Sequence, residues 1–513
     1  MTTSAHPPAE DPAIAFGSPR GRWVVAATVL GSGLAFIDAT VVNVALPSIG
    51  DSLGAGLSSL TWVINAYTLT LASLILLAGS LGDRFGRRRI FVVGVVWFAL
   101  ASLLCGLAPN VETLIAARAL QGVGGALLTP GSLAILQSAF RPEDRGRAIG
   151  AWSGLAGVAG AAGPFLGGWL VQVASWRWVF LINLPFAIAV VVIAVRHVPE
   201  SRDPTASAHI DLAGGTLGAV GLGAVTYGLI TWQDQGFTAP AVLLALVVGV
   251  ALLIGFVVRE HTVNDPMLPL GIFGSRLFRA VNIVTFVVYA ALGGVFFWLV
   301  LNLQVVSGYT PLGAGVALFP TTLILLLLSS RMGALAQRVG PRLPMTVGPL
   351  LCALGVAGMT RIGPGASYVS DVLPPVIAFG LGLSVTVAPL TATALAAAPA
   401  QHAGLASGVN NAVARVAGLL TVAILPLVAG LSGEAYNDPN LLEPAYRTAM
   451  WVCTSLLAAG GVLAAVLVRA PVREPPPVAL PVKHQRWHCA VDGPPMPSCP
   501  RDGPLVLSPS IRH

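Results

Sequence analysis

With 513 residues, 55% of them hydrophobic and only 10% charged, and a mean hydropathy of +0.81, the chain lacks the polar groups to coat a soluble surface, where about 25% charged residues is usual. That excludes a soluble domain of this size and points to an integral membrane protein. The net charge of +7 is almost all arginine, and a basic balance in such a chain marks loops held on the cytoplasmic side rather than a nucleic-acid surface.

Residues 1–20 are polar, with Pro7, Pro8, Glu10, Asp11 and Pro12, and read as a tail rather than a cleavable signal peptide. Apolar runs of about 20 residues then recur. They span residues 23–47, 60–81, 90–108, 113–138, 148–173, 177–196, 211–232, 240–258, 279–303, 313–331, 343–361, 372–395, 404–430 and 447–468. These predict an all-α integral membrane protein with about fourteen transmembrane helices. The runs are continuous and rich in Leu, Ala and Gly, unlike the short alternating strands of a barrel. Residues 470–513 form a Pro-rich tail. Cys105, Cys352, Cys453, Cys489 and Cys499 are scattered without disulfide or metal spacing; the last two lie near His484 and His488, but the expectation is no metal site.

The connecting charges orient the helices. One set of segments holds Arg20, Arg22, Arg84, Arg87 to Arg89, Arg141, Arg145, Arg147, Arg196, Arg202, Arg259, Arg276, Arg279, Arg338 and Arg342. The other set holds Asp51, Glu112, Asp234, Asp371, Glu434, Asp438 and Glu443, with Arg177, Arg361 and Arg447 as exceptions; the segment near His402, expected on the first side, is weakly basic. The alternation places both termini in the cytoplasm. A repeat is also visible: residues 333–342, GALAQRVGPR, echo residues 79–88, GSLGDRFGRR. The offset exceeds six helices by about the length of residues 203–278. The expected architecture is a tail (1–20), a six-helix half (21–202), a two-helix insertion (203–278), a second six-helix half (279–469) and a cytoplasmic tail (470–513), a plan in which the substrate site lies between the halves.

The segment 79–91 is the densest local charge in the chain: Gly79, Asp83, Arg84, Gly86, Arg87, Arg88 and Arg89 in GSLGDRFGRRRIF. Gly86 permits a tight turn, the arginines keep the loop in water, and Asp83 can face a helix N-terminus, a gain of about 0.3–1 kcal/mol. Within the first run, LAFIDATVVNVALP, lies Asp38; an acid at that depth costs about 2.5–3.5 kcal/mol on insertion scales and is a functional candidate by default. Arg118 lies in the fourth run, LIAARALQGVGGA. At about 1.5 Å per residue, Asp38 lies about 24 Å up from Arg22, and Arg118 lies about 9 Å below the outer edge near Glu112, or about 21 Å up in a core of about 30 Å. The two are therefore expected to interact. Burial favours a neutral acid and a neighbouring cation favours its carboxylate, so a carboxyl held between them can load and release a proton as the cavity changes sides; the plainer alternative is a static pair that sets helix register. The fifth run has small residues at Gly154, Gly157, Gly160, Gly163, Gly167 and Gly168, with Pro164 to soften the helix. Trp176 and Trp178 read as an interfacial belt. Arg415, in GLASGVNNAVARVAG, has no acid near it in sequence; carbonyls, water or an anionic substrate group would each satisfy it.

These segments together resemble the major facilitator superfamily, and more narrowly its fourteen-helix drug:proton antiporters, over residues 20–470. The resemblance implies that the loop with Gly79, Asp83, Arg84, Gly86, Arg87 and Arg88 is a latch closing the cytoplasmic side in one conformation, weaker in the second copy where Gln337 replaces the acid. It implies proton coupling through Asp38 and Arg118. It gives Gly154, Gly163, Pro164, Gly167 and Gly168 as the motif of exporters rather than symporters, and the segment 176–185, WRWVFLINLP, as typical of the branch. The implied partners are a small-molecule substrate, protons and the lipid bilayer, with no nucleic acid, and a functional monomer in the cell membrane. No phosphate loop or catalytic cluster is present in the sequence, so the expectation is no enzyme and no cofactor, with transport driven by a proton gradient. Candidate lining residues of the substrate cavity are Tyr67, Asn302, Gln304, Asn411 and Arg415, with Trp62, Asn65, Tyr289, Phe297, Trp298 and Phe319 beside them. The expected function is proton-coupled export of small lipophilic or amphipathic compounds such as drugs, antibiotics or dyes; the alternatives are export of an endogenous lipid or natural product, and a nutrient facilitator or symporter.

Overall fold

A backbone inside hydrocarbon has to satisfy its own amides, so continuous apolar runs fold as helices. The computed structural model describes residues 14–202, 211–263, 266, 268–397, 403–433 and 435–468, apart from some side chains within helices. The helices are α1 (Pro19–Leu53), α2 (Leu57–Phe85), α3 (Arg87–Gly106), α4 (Val111–Ala139), α5 (Pro142–Val173), α6 (Trp178–Leu181), α7 (Asn183–His197), α8 (Leu212–Gln235), α9 (Pro240–Thr262), α10 (Arg276–Val305), α11 (Pro311–Ala317), α12 (Phe319–Val339), α13 (Arg342–Met359), α14 (Leu373–Ala396), α15 (Ala403–Val428) and α16 (Pro439–Leu467). Among the described residues the only β pairing is a single bridge between Ile14 and Phe140. Thirteen helical stretches there are long and apolar enough to cross a membrane, with α6 and α7 together making one and α11 and α12 contributing to another. α5, 32 residues long, takes the remaining place among the fourteen spans expected.

Local chemistry sets the ends. Ser18 caps α1 by accepting the Gly21 amide at 3.0 Å, just before Pro19, and Asn110 caps α4 through the Thr113 amide at 2.9 Å; each side-chain oxygen satisfies one of the amides a helix start leaves unpaired. Gly54, at φ 62°, ends α1 in the left-handed conformation that suits glycine. The sixth and tenth spans are broken where the sequence suggested continuous helices. Both breaks come shortly before a proline, Pro185 and Pro320, which removes an amide donor from the first turn that follows.

Packing repeats itself. α1 packs on α4, α5 and α7, α3 packs on α4 and α7, and α2 packs on α4; the same pairings recur with α10, α12, α13, α14, α15 and α16 in the places of α1, α2, α3, α4, α5 and α7. The two six-helix sets meet along α2 with α15 and along α5 with α11 and α12. α8 and α9 form a hairpin outside this scheme, α8 lying against both α2 and α15. Asp211 caps α8 through the Gly214 amide at 2.9 Å and receives Arg259 Nε of α9 at 2.8 Å, which ties the hairpin shut at its open end. The hydrogen bond from Arg259 is the main cause that holds the Asp211 carboxyl below the usual carboxylate range.

The α5 glycines explain how closely α5 approaches α1 in its own set and α11 in the other. A Cβ on Gly167 would lie 2.6 Å from Val41 Cγ2 of α1; one on Gly163 would strike Thr40, and one on Gly168 the Pro311 carbonyl of α11. Across that contact, a Cβ on Gly315 would strike the Pro164 carbonyl. Thr40 Oγ1 also donates to the Gly160 carbonyl at 2.8 Å. Gly168→Ala is expected to lower the thermal midpoint in detergent, at a cost of about 1–3 kcal/mol for overpacking. Gly150→Ala, where nothing lies within 4 Å, is the control expected to leave it unchanged. Because the folded-state pKa of Asp211 is depressed, its contribution is present above the ordinary carboxylate pKa of about 3.9 and is lost as pH falls through the folded value. A melting series at decreasing pH should show Asp211→Asn converging with the parent protein in acid.

Candidate functional site

α1 carries Asp38 and α4 carries Arg118 to the same depth, and the two side chains meet as the sequence spacing predicts. Arg118 Nη1 donates to Asp38 Oδ2 at 2.5 Å, with both groups buried, at 1% and 0% exposure. Several further polar groups engage the pair. Gln121 Nε2 donates to Asp38 Oδ1 at 2.8 Å and also approaches Ser102 Oγ of α3 at 2.8 Å. Asn183 Nδ2, at the start of α7, lies 3.4 Å from Asp38 Oδ1 and 3.2 Å from Ser102 Oγ. Arg118 Nε donates to the Val63 carbonyl of α2 at 3.0 Å, and Nη1 to Gln121 Oε1. The guanidinium lies over the Tyr67 ring at 4.4 Å and near that of Phe180 at 5.7 Å, so aromatic faces replace water around the cation. Helices α1, α2, α3, α4 and α7 therefore converge on one carboxylate.

Gln121, Ser102 and Asn183 were not singled out from sequence. Gln121 had a signal: it follows Arg118 by three residues and so shares its helix face. For Ser102 and Asn183 no local pattern fixes which way their helices are rotated.

The segment between α2 and α3 is tied down within its own six-helix set. Asp83 Oδ1 accepts Arg87 Nε at 2.8 Å, so the acid and one arginine of the predicted latch pair directly. Glu200, beyond α7, accepts the amides of Arg88 and Arg89 at 3.1 and 3.2 Å and lies 3.6 Å from Arg88 Nε. It thus caps α3 with a charge at the favourable helix end. Gly86 sits at φ 113°, and a Cβ there would be 2.7 Å from Glu200 Oε1, so the turn and the cap need glycine together. Arg87 N also donates to the Ser201 carbonyl at 2.9 Å. Arg84 lies over the Phe85 ring at 5.2 Å, and Gly79 faces Pro130 of α4. Glu200 is a further residue that sequence reasoning missed, because its partners are more than a hundred positions away.

Of the antiporter-type glycines, Gly163, Gly167 and Gly168 sit at the contacts of α5 with α1 and α11 described above, beside the buried Pro164; Gly154 lies in α5 but its surroundings fall outside the described residues. The candidate cavity residues are spread. Tyr67 is buried against Arg118, its hydroxyl 3.4 Å from the Ala35 carbonyl. Asn302 is buried, donating to the Ile362 carbonyl at 3.1 Å. Gln304 donates across the two sets to the Val44 carbonyl at 3.0 Å. Asn411 and Arg415 are half-buried on α15, and the Arg415 guanidinium lies 5.6 Å from the Phe36 ring of α1. Arg415 thus reaches α1 from the opposite set.

Among the described residues no group of His, Cys, Asp and Glu could hold a metal ion, and Cys105, Cys352 and Cys453 are buried free thiols. Residues 470–513, with Cys489 and Cys499, and the residues 1–13 lie outside the described residues, as do His402 and the side chain of Gln337.

Comparison with known proteins places this geometry in a family. The chain is 37% identical over 475 residues to the puromycin resistance protein pur8 of Streptomyces alboniger, covering 90% of this chain and 94% of that protein. It is 34% identical over 449 residues to the methylenomycin A resistance protein of Bacillus subtilis, covering 86% and 96%. It is 35% identical over 419 residues to the multidrug resistance protein Stp of Mycobacterium tuberculosis, covering 81% and 77%. In fold it matches a bacterial homologue of the human lysosomal transporter Spinster, solved inward-facing and unoccupied, with a TM-score of 0.61 at 16% identity over 88% of this chain and 97% of that one. The family model described as Major Facilitator Superfamily matches residues 28–422, and the chain belongs to that superfamily.

Proposed function

We propose that the protein exports small lipophilic or amphipathic compounds, antibiotics and other drugs among them, across the cytoplasmic membrane in exchange for protons. Export is supported by the relatives named for antibiotic or multidrug resistance. Proton coupling is supported above all by one observation: a fully buried carboxylate, Asp38, held by Arg118, Gln121 and Asn183 in the interior of a membrane protein.

In this reading the arginine-rich ends of the helices and both termini are cytoplasmic, and the protein acts as a monomer on substrate and protons within the bilayer. Residues 21–202 and 279–469 are the two moving halves, and residues 203–278 carry the inserted hairpin. A proton arriving at Asp38 removes the negative partner of Arg118. The cation keeps the Val63 carbonyl, Gln121 Oε1 and the Tyr67 ring, but α1 and α4 lose the charge that joins them. Loss of one partner of a buried pair is a large perturbation, and it gives the proton its leverage over helix position. Cargo lies between the halves, where Arg415 of α15 faces Phe36 of α1 with Asn411 one turn away on the same helix; Gln304 bridges the halves at the other end. The loop with Asp83, Arg87 and Arg88, capped by Glu200, times closure of the cytoplasmic side. An endogenous lipid or natural product is the alternative cargo for the same machinery.

Asp38→Asn mimics the protonated acid in shape and charge. It is expected to reach the membrane folded, to exchange substrate down a gradient in proteoliposomes, and to lose uphill export driven by an imposed pH gradient. Retained uphill export would remove the proton from Asp38. Glu200→Gln takes the charge from the α3 cap. It is expected to cost about 1 kcal/mol of local stability, to slow turnover, and to leave the dependence of export on the pH gradient intact when both are measured in the same vesicles.

A further inference from the structure

Thr61 and Asn65 stand one turn apart on α2, both at 0% exposure. Thr61 Oγ1, Asn65 Oδ1 and Asn65 Nδ2 find no hydrogen-bond partner among the described residues. A side-chain amide offers two donors and two acceptor positions, and native proteins seldom leave all of them unpaired away from water. Two threonines further along α2 are satisfied by their own helix: Thr68 Oγ1 donates to the Ile64 carbonyl at 3.2 Å and Thr70 Oγ1 to the Ala66 carbonyl at 2.9 Å; Ser73 Oγ, a single hydroxyl, lacks a partner among the described residues, as Thr61 and Asn65 do.

The neighbours of α2 show where this unpaired pair points. Val63 and Tyr67 turn to α4, through the bond from Arg118 and the contact with Gly122. Trp62 and Leu69 turn to α8, against Tyr227 and Gly223. At about 100° per residue, Thr61 and Asn65 lie on the face beside the α8 side, away from Leu60 and Tyr67, which meet α1; α15 of the opposite six-helix set packs on both α2 and α8 and is the neighbour on that side. They therefore sit in the seam between the two sets, in its half away from the arginine-rich loops. That end of the seam is shut by bonds from one set to the other: the Leu57 amide to the Gly433 carbonyl at 2.9 Å, Tyr436 Oη to the Ala55 carbonyl at 2.8 Å, and Gln304 Nε2 to the Val44 carbonyl.

We propose that Thr61 and Asn65 are gate residues of the transport cycle, left unpaired beneath the shut seam and paired with water or with a neutral hydrogen-bonding group of the cargo when α2 and α15 part at that end. Their unmet hydrogen bonds raise the free energy of the closed seam relative to the open one, so they keep the open state within thermal reach. A ligand-free bias of this kind shifts populations in proportion to the free-energy difference it makes between the states. The inference rests on the reading of the protein as an alternating exporter, but the residues act on the seam whatever the cargo is.

The test uses the full chain in lipid nanodiscs, with spin labels at Leu107→Cys and Leu441→Cys, exposed positions at the same end of the two sets, and Cys489→Ser and Cys499→Ser to remove tail labelling. Asn65→Leu keeps the size of the side chain and removes the amide. The expected result is a fall of about tenfold in the population with the longer interlabel distance, the scale of relieving one unpaired buried group, with a raised melting temperature. Thr61→Val is expected to move both readouts in the same direction and by less, and Asn65→Gln to restore the parental distances. A lowered melting temperature for Asn65→Leu with unchanged distances would show a structural amide and overturn the proposal, as would unchanged distances and stability. Export assays on the same variants separate the two readings: a distance shift without drug export from the parent protein would retain the gate and discard the cargo.

Discussion

An ion pair sealed from water, Asp38 with Arg118, sets the terms for the rest of the first six-helix set. Neither charge is tolerable alone at that depth, so each neighbouring helix supplies something to the pair: Val63 its carbonyl, Gln121 both ends of its amide, Ser102 a hydroxyl that orients two amides, Asn183 a donor, and Tyr67 and Phe180 their ring faces. Such a pair adds little net stability against an apolar replacement, yet removing one partner is severe. It is therefore poorly suited as glue and well suited as a lever, because protonation of the acid is the smallest chemical change that removes a partner.

The contacts between the two sets have a different character. Within the first set, charges and amides are matched to one another through several helices. Between the sets the joints are glycine against backbone, as at Gly168 and Gly315, and single bonds from a side chain or amide to a carbonyl, as at Gln304 and Leu57. Glycine contacts give close approach without interlocking side chains. Two internally matched bodies joined by smooth, sparsely bonded surfaces can rock against each other while each keeps its own hydrogen bonds, as the transporter plan requires.

Much of this was legible in the sequence, for reasons that differ by feature. The helix series followed from length and apolarity, and the encounter of Asp38 with Arg118 followed from the constant rise of a helix, which converts residue number into depth. Rotation about each helix axis was not legible. That is why Ser102 and Asn183 escaped notice, and why Tyr67, read as a cavity lining, lies under a guanidinium in this conformation. Glu200 escaped because its partners, the amides of Arg88 and Arg89, are made available by a fold that brings the end of α7 to the start of α3. The breaks at α6–α7 and α11–α12 lay in apolar runs whose hydropathy does not change, and only Pro185 and Pro320 marked them.

The inserted hairpin gives the two seams unequal surroundings. The packing repeat relates the α2–α15 seam to the α5–α12 seam, yet among the described residues it is the first that has a hairpin helix, α8, laid along it. α8 reaches both sides of that seam, with Tyr227 against Trp62 of α2 and Gln233 donating to the Ala423 carbonyl of α15 at 3.0 Å. α9 meets α8 through Gly221, Gly228 and Gly249, where a Cβ on Gly249 would be 2.7 Å from the Val225 amide nitrogen, and exposes most of its apolar side chains. The hairpin is thus held to itself by close backbone approach and by the Asp211–Arg259 clasp, and to the two sets mainly through α8. A cover fastened in that way keeps its own clasp and its own backbone contacts apart from those it makes with α2 and α15.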